Sequence, residues 1–151
     1  MKIEKETGNC ILIADDDGDD QYMIAQAFIT LECEVDIRTV NDGLELMDYL
    51  ERKDKYEHAV VPVPKVILLD LNMPKKDGRE CLKEIKAHPE LKKIPVVVYS
   101  TSNSPNDVSY CYAHGASNYI VKPSSFKELI EVMKVFRQYW FTVVKTPDII
   151  L

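Results

Sequence analysis

A chain of 151 residues, 46% hydrophobic and 29% charged, is long enough to fold as one globular domain with a real core. A net charge of −6 and a pI near 5.1 exclude broad, nonspecific binding to nucleic acid or anionic membrane. Four scattered cysteines without C-x-x-C or zinc-like spacing, no apolar run near the ~20 residues of a membrane span, and a polar Met1–Asn9 without a signal-peptide core exclude a disulfide scaffold, a membrane protein and a secreted one; the expected location is cytoplasmic.

The first apolar run, Cys10 to Ala14, reads as strand one and ends in the acid cluster Asp15-Asp16-Asp17-Gly18-Asp19-Asp20. Acids suit a helix start, where backbone N–H groups are unpaired and the dipole end is positive. Helix one is predicted from about Asp19 to Leu31, with Ile24, Ala25, Phe28 and Leu31 at helical spacing. Val35 to Val40 supplies strand two, and Asn41-Asp42-Gly43 turns the chain into a short helix two, Leu44 to Leu50. The charged, proline-containing loop Arg52–Pro64 is longer than most connections in compact domains.

Val66 to Gly78, V-I-L-L-D-L-N-M-P-K-K-D-G, organises the rest. Four consecutive apolar residues look like a central strand covered on both faces, and they stop at a carboxylate, Asp70. Helix three follows near Arg79 to His88 and is stopped by Pro89. Ile94 to Tyr99 forms strand four, ending in Ser100-Thr101-Ser102. Ser104-Pro105 starts helix four, which runs to about His114 with Gly115 as its stop. Asn118 to Val121 is strand five, closed by Lys122-Pro123; Ser124/Ser125 then cap helix five, Phe126 to about Phe141. Five alternations of strand and helix with short connections require a parallel sheet with helices on both faces.

The strand ends carry polar side chains: Asp15 and Asp16 after strand one, Asp70 after strand three, Ser100 after strand four and Lys122 after strand five. In a doubly wound sheet these ends share one edge, where ligands collect. Clustered carboxylates repel unless a cation intervenes, and an all-oxygen set of two or three carboxylates suits Mg²⁺ completed by phosphate oxygens. A lysine and a hydroxyl opposite such a site fit a phosphate.

The chain resembles the receiver (CheY-like) domain of bacterial two-component response regulators from Cys10 to about Phe141, in I-L-I-A-D-D-D, L-L-D-L-N-M-P-K-K-D-G, V-V-V-Y-S-T-S and G-A-S-N-Y-I-V-K-P, in order and in spacing. The resemblance implies a flavodoxin-like α/β fold with strand order 2-1-3-4-5, a receiver domain over 10–141, an N-terminal extension over 1–9 and a tail over 142–151. It makes Asp70 the phospho-acceptor. Asp16 would bind Mg²⁺ directly, Asp15 through water, and Asn72 through its backbone carbonyl. Ser100 and Tyr119 match the switch pair, and Lys122 the invariant lysine before what is usually a cis peptide to Pro123. The implied function is phosphorelay signalling: a sensor histidine kinase or histidine phosphotransferase donates the phosphoryl group, and the helix four, strand five and helix five surface responds. Such a protein is no conventional enzyme, but catalyses its own phosphorylation and slow dephosphorylation. The 52–64 loop and the ending F-R-Q-Y-W-F-T-V-V resemble small regulators paired with bacterial phytochromes, without a separate output domain.

The sequence departs from the family pattern at Asp17-Gly18 and in the extra acids Asp19 and Asp20, which are expected to cap helix one. Helix five carries two apolar stripes: Phe126, Leu129, Ile130, Met133, Phe136 and Trp140, and a second of Val132, Val135, Tyr139 and Val143. The second needs a partner, either the folded tail or another subunit, and a homodimer through helix five is expected. Two other functions compete. One is a phosphorylation-independent pseudo-receiver scaffold; the other is a haloacid-dehalogenase-type phosphohydrolase, whose nucleophile would lie on strand one with a second Asp two residues on.

Overall fold

The computed structural model describes residues 9–151, so the expected extension lies outside the described residues except for Asn9. Five strands, β1 (Cys10–Ala14), β2 (Asp36–Val40), β3 (Val66–Leu69), β4 (Val96–Ser100) and β5 (Asn118–Val121), form one parallel sheet in the order β2-β1-β3-β4-β5. Every residue of β1, β3 and β4 is buried, whereas β2 and β5 are partly open. That is why the three runs without polar interruptions take the middle of the sheet and the two mixed ones its edges. The register pairs Ala14 with Leu69, Leu69 with Val98 and Ser100 with Val121, which brings the carboxyl ends of the strands to one edge.

Side-chain alternation along the strands divides the core in two. Ile11, Ile13, Leu68, Val97 and Tyr99 face helices α1 (Gly18–Thr30) and α5 (Phe126–Gln138). Leu12, Ala14, Ile67, Leu69 and Val98 face α2 (Gly43–Glu51), α3 (Gly78–Ala87) and α4 (Pro105–Ala113). Each helix starts on a side-chain cap: Asp17, Asp42, Asp77, Ser104 and Ser125 accept hydrogen bonds from N–H groups of the first turn.

Several boundaries differ from the sequence reading for local reasons. β4 begins at Val96 rather than Ile94, because the Ile94 N–H closes the preceding single turn, Leu91–Lys93, onto Leu91 O at 3.0 Å. The 52–64 loop contains one tight turn, Asp54–Tyr56, and is tied down by Tyr49 O–H to Pro62 O (2.7 Å) and Tyr56 O–H to Glu45 Oε2 (2.7 Å). Past Gln138 the last helix widens into a π turn, Tyr139–Val143. The tail then runs beside Val63, Pro64 and Lys65, with Ile149 packed against the α2–α3 side of the core. It therefore does not cover the second stripe of α5: Val135 and Val143 are each 65% exposed and Tyr139 43%. No helix of the described residues is long and apolar enough to cross a membrane.

Candidate functional site

Strand ends converge at the carboxyl edge of β1, β3, β4 and β5 as the alternation requires. Asp70 is held by its N–H, which donates to Ala14 O at 2.9 Å, and Asp15 by its N–H to Val40 O at 3.1 Å. Carboxylate oxygens of Asp15, Asp16 and Asp70 lie within 4.8 Å of one another. Asp15 and Asp70 are buried, Asp16 is exposed, and Lys122 reaches in from the end of β5. Its Nζ stands 2.8 Å from Asp15 Oδ2, 2.6 Å from Asp20 Oδ2 and 3.7 Å from Asp70 Oδ2.

Burial raises the Asp70 carboxyl to about 6, with Lys122 opposing and the Asp15 charge adding to the rise. Burial also raises Asp15, against its hydrogen bonds from Lys122 and from the Asp17 N–H. For Lys122, burial acts downward, but hydrogen bonds to Asp15 and Asp20 outweigh it and hold the ammonium above the ordinary lysine range. Three carboxylates around one ammonium leave a surplus of negative charge on hard oxygen donors. That surplus, half sealed from water, is a fit for a small divalent cation.

The close approach of α3 to the acceptor strand end depends on one residue. A Cβ on Gly78 would fall 2.2 Å from the Asp70 backbone oxygen, so only glycine lets α3 begin there. Asn72 is exposed in the following turn, and its N–H lowers the Asp70 carboxyl by hydrogen bonding to it.

Ser100 is fully buried at the end of β4, and its Oγ accepts from the Ser102 N–H at 3.3 Å rather than engaging Asp70. Tyr119 is half-buried, and its O–H donates to Ser102 O at 2.8 Å. Both meet the same short loop. One expectation fails: among the described residues every peptide bond is trans, Lys122–Pro123 included. The Lys122 N–H donates to Ser100 O at 2.8 Å in this arrangement, and its side chain still reaches Asp15.

Two contacts escape a linear reading. Asp17 alone caps α1, and the neighbouring Asp20 turns instead to Lys122, 102 residues away. A helix start aimed at the strand ends is the only signal that could have pointed to it. Arg79, on α3, donates to Asp107 Oδ1 on α4 through Nη2 at 2.9 Å, and Asp107 Oδ2 accepts from the Ser102 hydroxyl at 2.6 Å. Tyr119, Ser102, Asp107 and Arg79 thus form one connected polar chain from β5 to α3.

Residues 11–134 match the response regulator receiver domain model. The chain is 36% identical over 147 residues to the response regulator Rcp1 of Synechocystis, covering 97% of this chain and 99% of that protein. Among solved structures, the phosphorylated cyanobacterial phytochrome response regulator RcpA superposes with a TM-score of 0.85 at 38% identity, covering 93% of this chain and 99% of that one. The Mn²⁺-bound form of Rcp1 gives 0.84 at 36% identity, covering 93% and 99%.

Proposed function

Because this chain belongs to the response regulator receiver domain family, we propose that it takes a phosphoryl group onto Asp70 from a phosphohistidine of a sensor kinase or phosphotransferase. The observation that carries this reading is the trio of carboxylates within 4.8 Å of one another, with the Lys122 ammonium beside them at the open edge of the sheet.

An Asp70 carboxylate oxygen attacks phosphorus while the P–N bond to the donor imidazole breaks and its electron pair returns to nitrogen. Lys122 then pairs with the phosphoryl oxygens, so catalysis is positioning and charge neutralisation rather than acid–base chemistry. Asp15, Asp16, Asp70 and the backbone carbonyl of Asn72 would hold Mg²⁺, which when bound supplies the positive charge that offsets the transferring group. Slow hydrolysis at the same place ends the signal, which is self-catalysis rather than turnover of a diffusible substrate.

The new acyl phosphate adds about −1.5 to −2 charge. Ser100 would leave the Ser102 N–H for a phosphoryl oxygen, and Tyr119, tied to the same loop through Ser102 O, would follow. The α4–β5–α5 surface is the one this movement reaches. Residues 10–141 would do this work, in the cytoplasm, with 142–151 as a tail folded back on the domain. Similarity to phytochrome response regulators supports a phytochrome-type kinase as donor. The stripe of α5 left open by the tail supports pairing with a second copy: Val132, Val135 and Tyr139 line an apolar groove of about 730 Å³ with β5.

Incubation with acetyl phosphate and Mg²⁺, followed by mass mapping, tests the central step. Modification of Asp70, absent in Asp70→Ala, is the expected result; an unmodified protein, or label at another residue, overturns it. Mg²⁺-dependent binding of BeF₃⁻ separates this function from an inert scaffold, and lack of turnover of free phosphate esters separates it from a phosphohydrolase.

A further inference from the structure

Lys122 has three N–H donors and spends two of them away from the acceptor. Its Nζ lies 2.6 Å from Asp20 Oδ2 and 2.8 Å from Asp15 Oδ2, both full hydrogen bonds, but 3.7 Å from Asp70 Oδ2, which is not one. The Tyr99 ring, with its centroid 5.6 Å away, flanks the ammonium on a further side. Asp20 is not needed where it stands for the sake of the helix. Asp17 already accepts from the Asp19 and Asp20 N–H groups at 2.9 and 3.3 Å, and Asp19 is a second acid of the first turn beside it. The cap instead fixes the backbone of Asp20 so that its carboxylate faces the end of β5.

We infer that Asp20 is a positioning residue that draws the Lys122 ammonium towards the mouth of the site, so that a phosphoryl group on Asp70 competes with the Asp20 carboxylate for the lysine. The inference rests on Asp70 being the acceptor. The ammonium remains cationic throughout and only exchanges one anionic partner for another. Because the Asp20 side chain is 36% exposed, this competition is modest and reversible, set against a lysine that is 9% exposed.

The test uses the full chain with Mg²⁺ and BeF₃⁻ as the probe, its bound form followed by fluorine NMR. Asp20→Asn is expected to bind BeF₃⁻ about two- to fivefold more tightly than the unaltered protein, the upper part of the range that loss of a partly exposed ion pair spans. Asp19→Asn removes the same charge from the same turn without touching Lys122 and should change the affinity less than about twofold. In a Lys122→Gln background the Asp20→Asn effect should vanish, because the competition needs the lysine. Unchanged or weaker binding by Asp20→Asn, an equal gain in Asp19→Asn, or the same gain without Lys122 would each overturn the inference while leaving Asp70 as acceptor. No BeF₃⁻ binding by the unaltered protein would remove both.

Discussion

Asp70 sets stability against use. Its carboxyl is 7% exposed and raised by burial from 3.8 to about 6, so the folded state disfavours the charged form that a nucleophile requires. The unfolded chain gives up this proton near 3.8 and the folded one near 6, so the native state holds more proton in between. Stability therefore falls as pH rises through that window, and above it the full cost remains, on the order of 1–3 kcal/mol. Asp70→Asn should stabilise the metal-free protein by about that amount at pH 7.5. The gain should shrink towards pH 5 and disappear below about pH 4. Thermal melts in EDTA across that range check it, and a pH-independent gain would point to packing instead of charge.

At the scale of elements, the site is built from starts of helices laid against ends of strands. α3 can approach the end of β3 only because Gly78 lacks a Cβ, which would meet the Asp70 oxygen at 2.2 Å and the Leu71 Cα at 2.7 Å. Both neighbours are backbone and cannot rotate away. Gly78→Ala should therefore cost about 1–3 kcal/mol in urea unfolding and also weaken Mg²⁺ binding by shifting Asp70. α5 offers the opposite case, an apolar stripe with nothing over it. Val135→Asp with Val143→Asp should turn a dimer into a monomer at tens of micromolar in sedimentation, with little loss of melting temperature, because both side chains are 65% exposed in the single chain. A monomer before mutation would remove the pairing.

Across the whole molecule, burial also decides chemical reactivity. Cys10 and Cys81 are raised to about 12 and Cys111 to about 11 by burial, which leaves almost no thiolate at neutral pH. Only Cys33 among the four cysteines is partly open. A thiol reagent should therefore titrate one cysteine rapidly in the native protein and all four in guanidinium. Fast labelling of a second would indicate that one of the two core layers opens more readily than its packing implies.

Much of the fold was legible along the chain, because each device is local. Unbroken apolar runs such as Val66–Leu69 mark central strands, caps such as Asp17 and Ser104 mark helix starts, and a polar residue ending a strand must lie at its edge of the sheet. Asp15, Asp16, Asp70, Ser100 and Lys122 were recognisable as one group for that reason. Pairing among them was not legible. Which of six neighbouring positions from Asp15 to Asp20 would take the lysine depends on the angle at which α1 leaves β1 and on the twist that carries the end of β5 over it. The same holds for Arg79 and Asp107, which are 28 residues apart, and for a tail that turned towards Val63–Lys65 and left α5 uncovered. Residue types and strand ends are properties of the chain; distances between residues far apart in sequence exist only once the layers have packed.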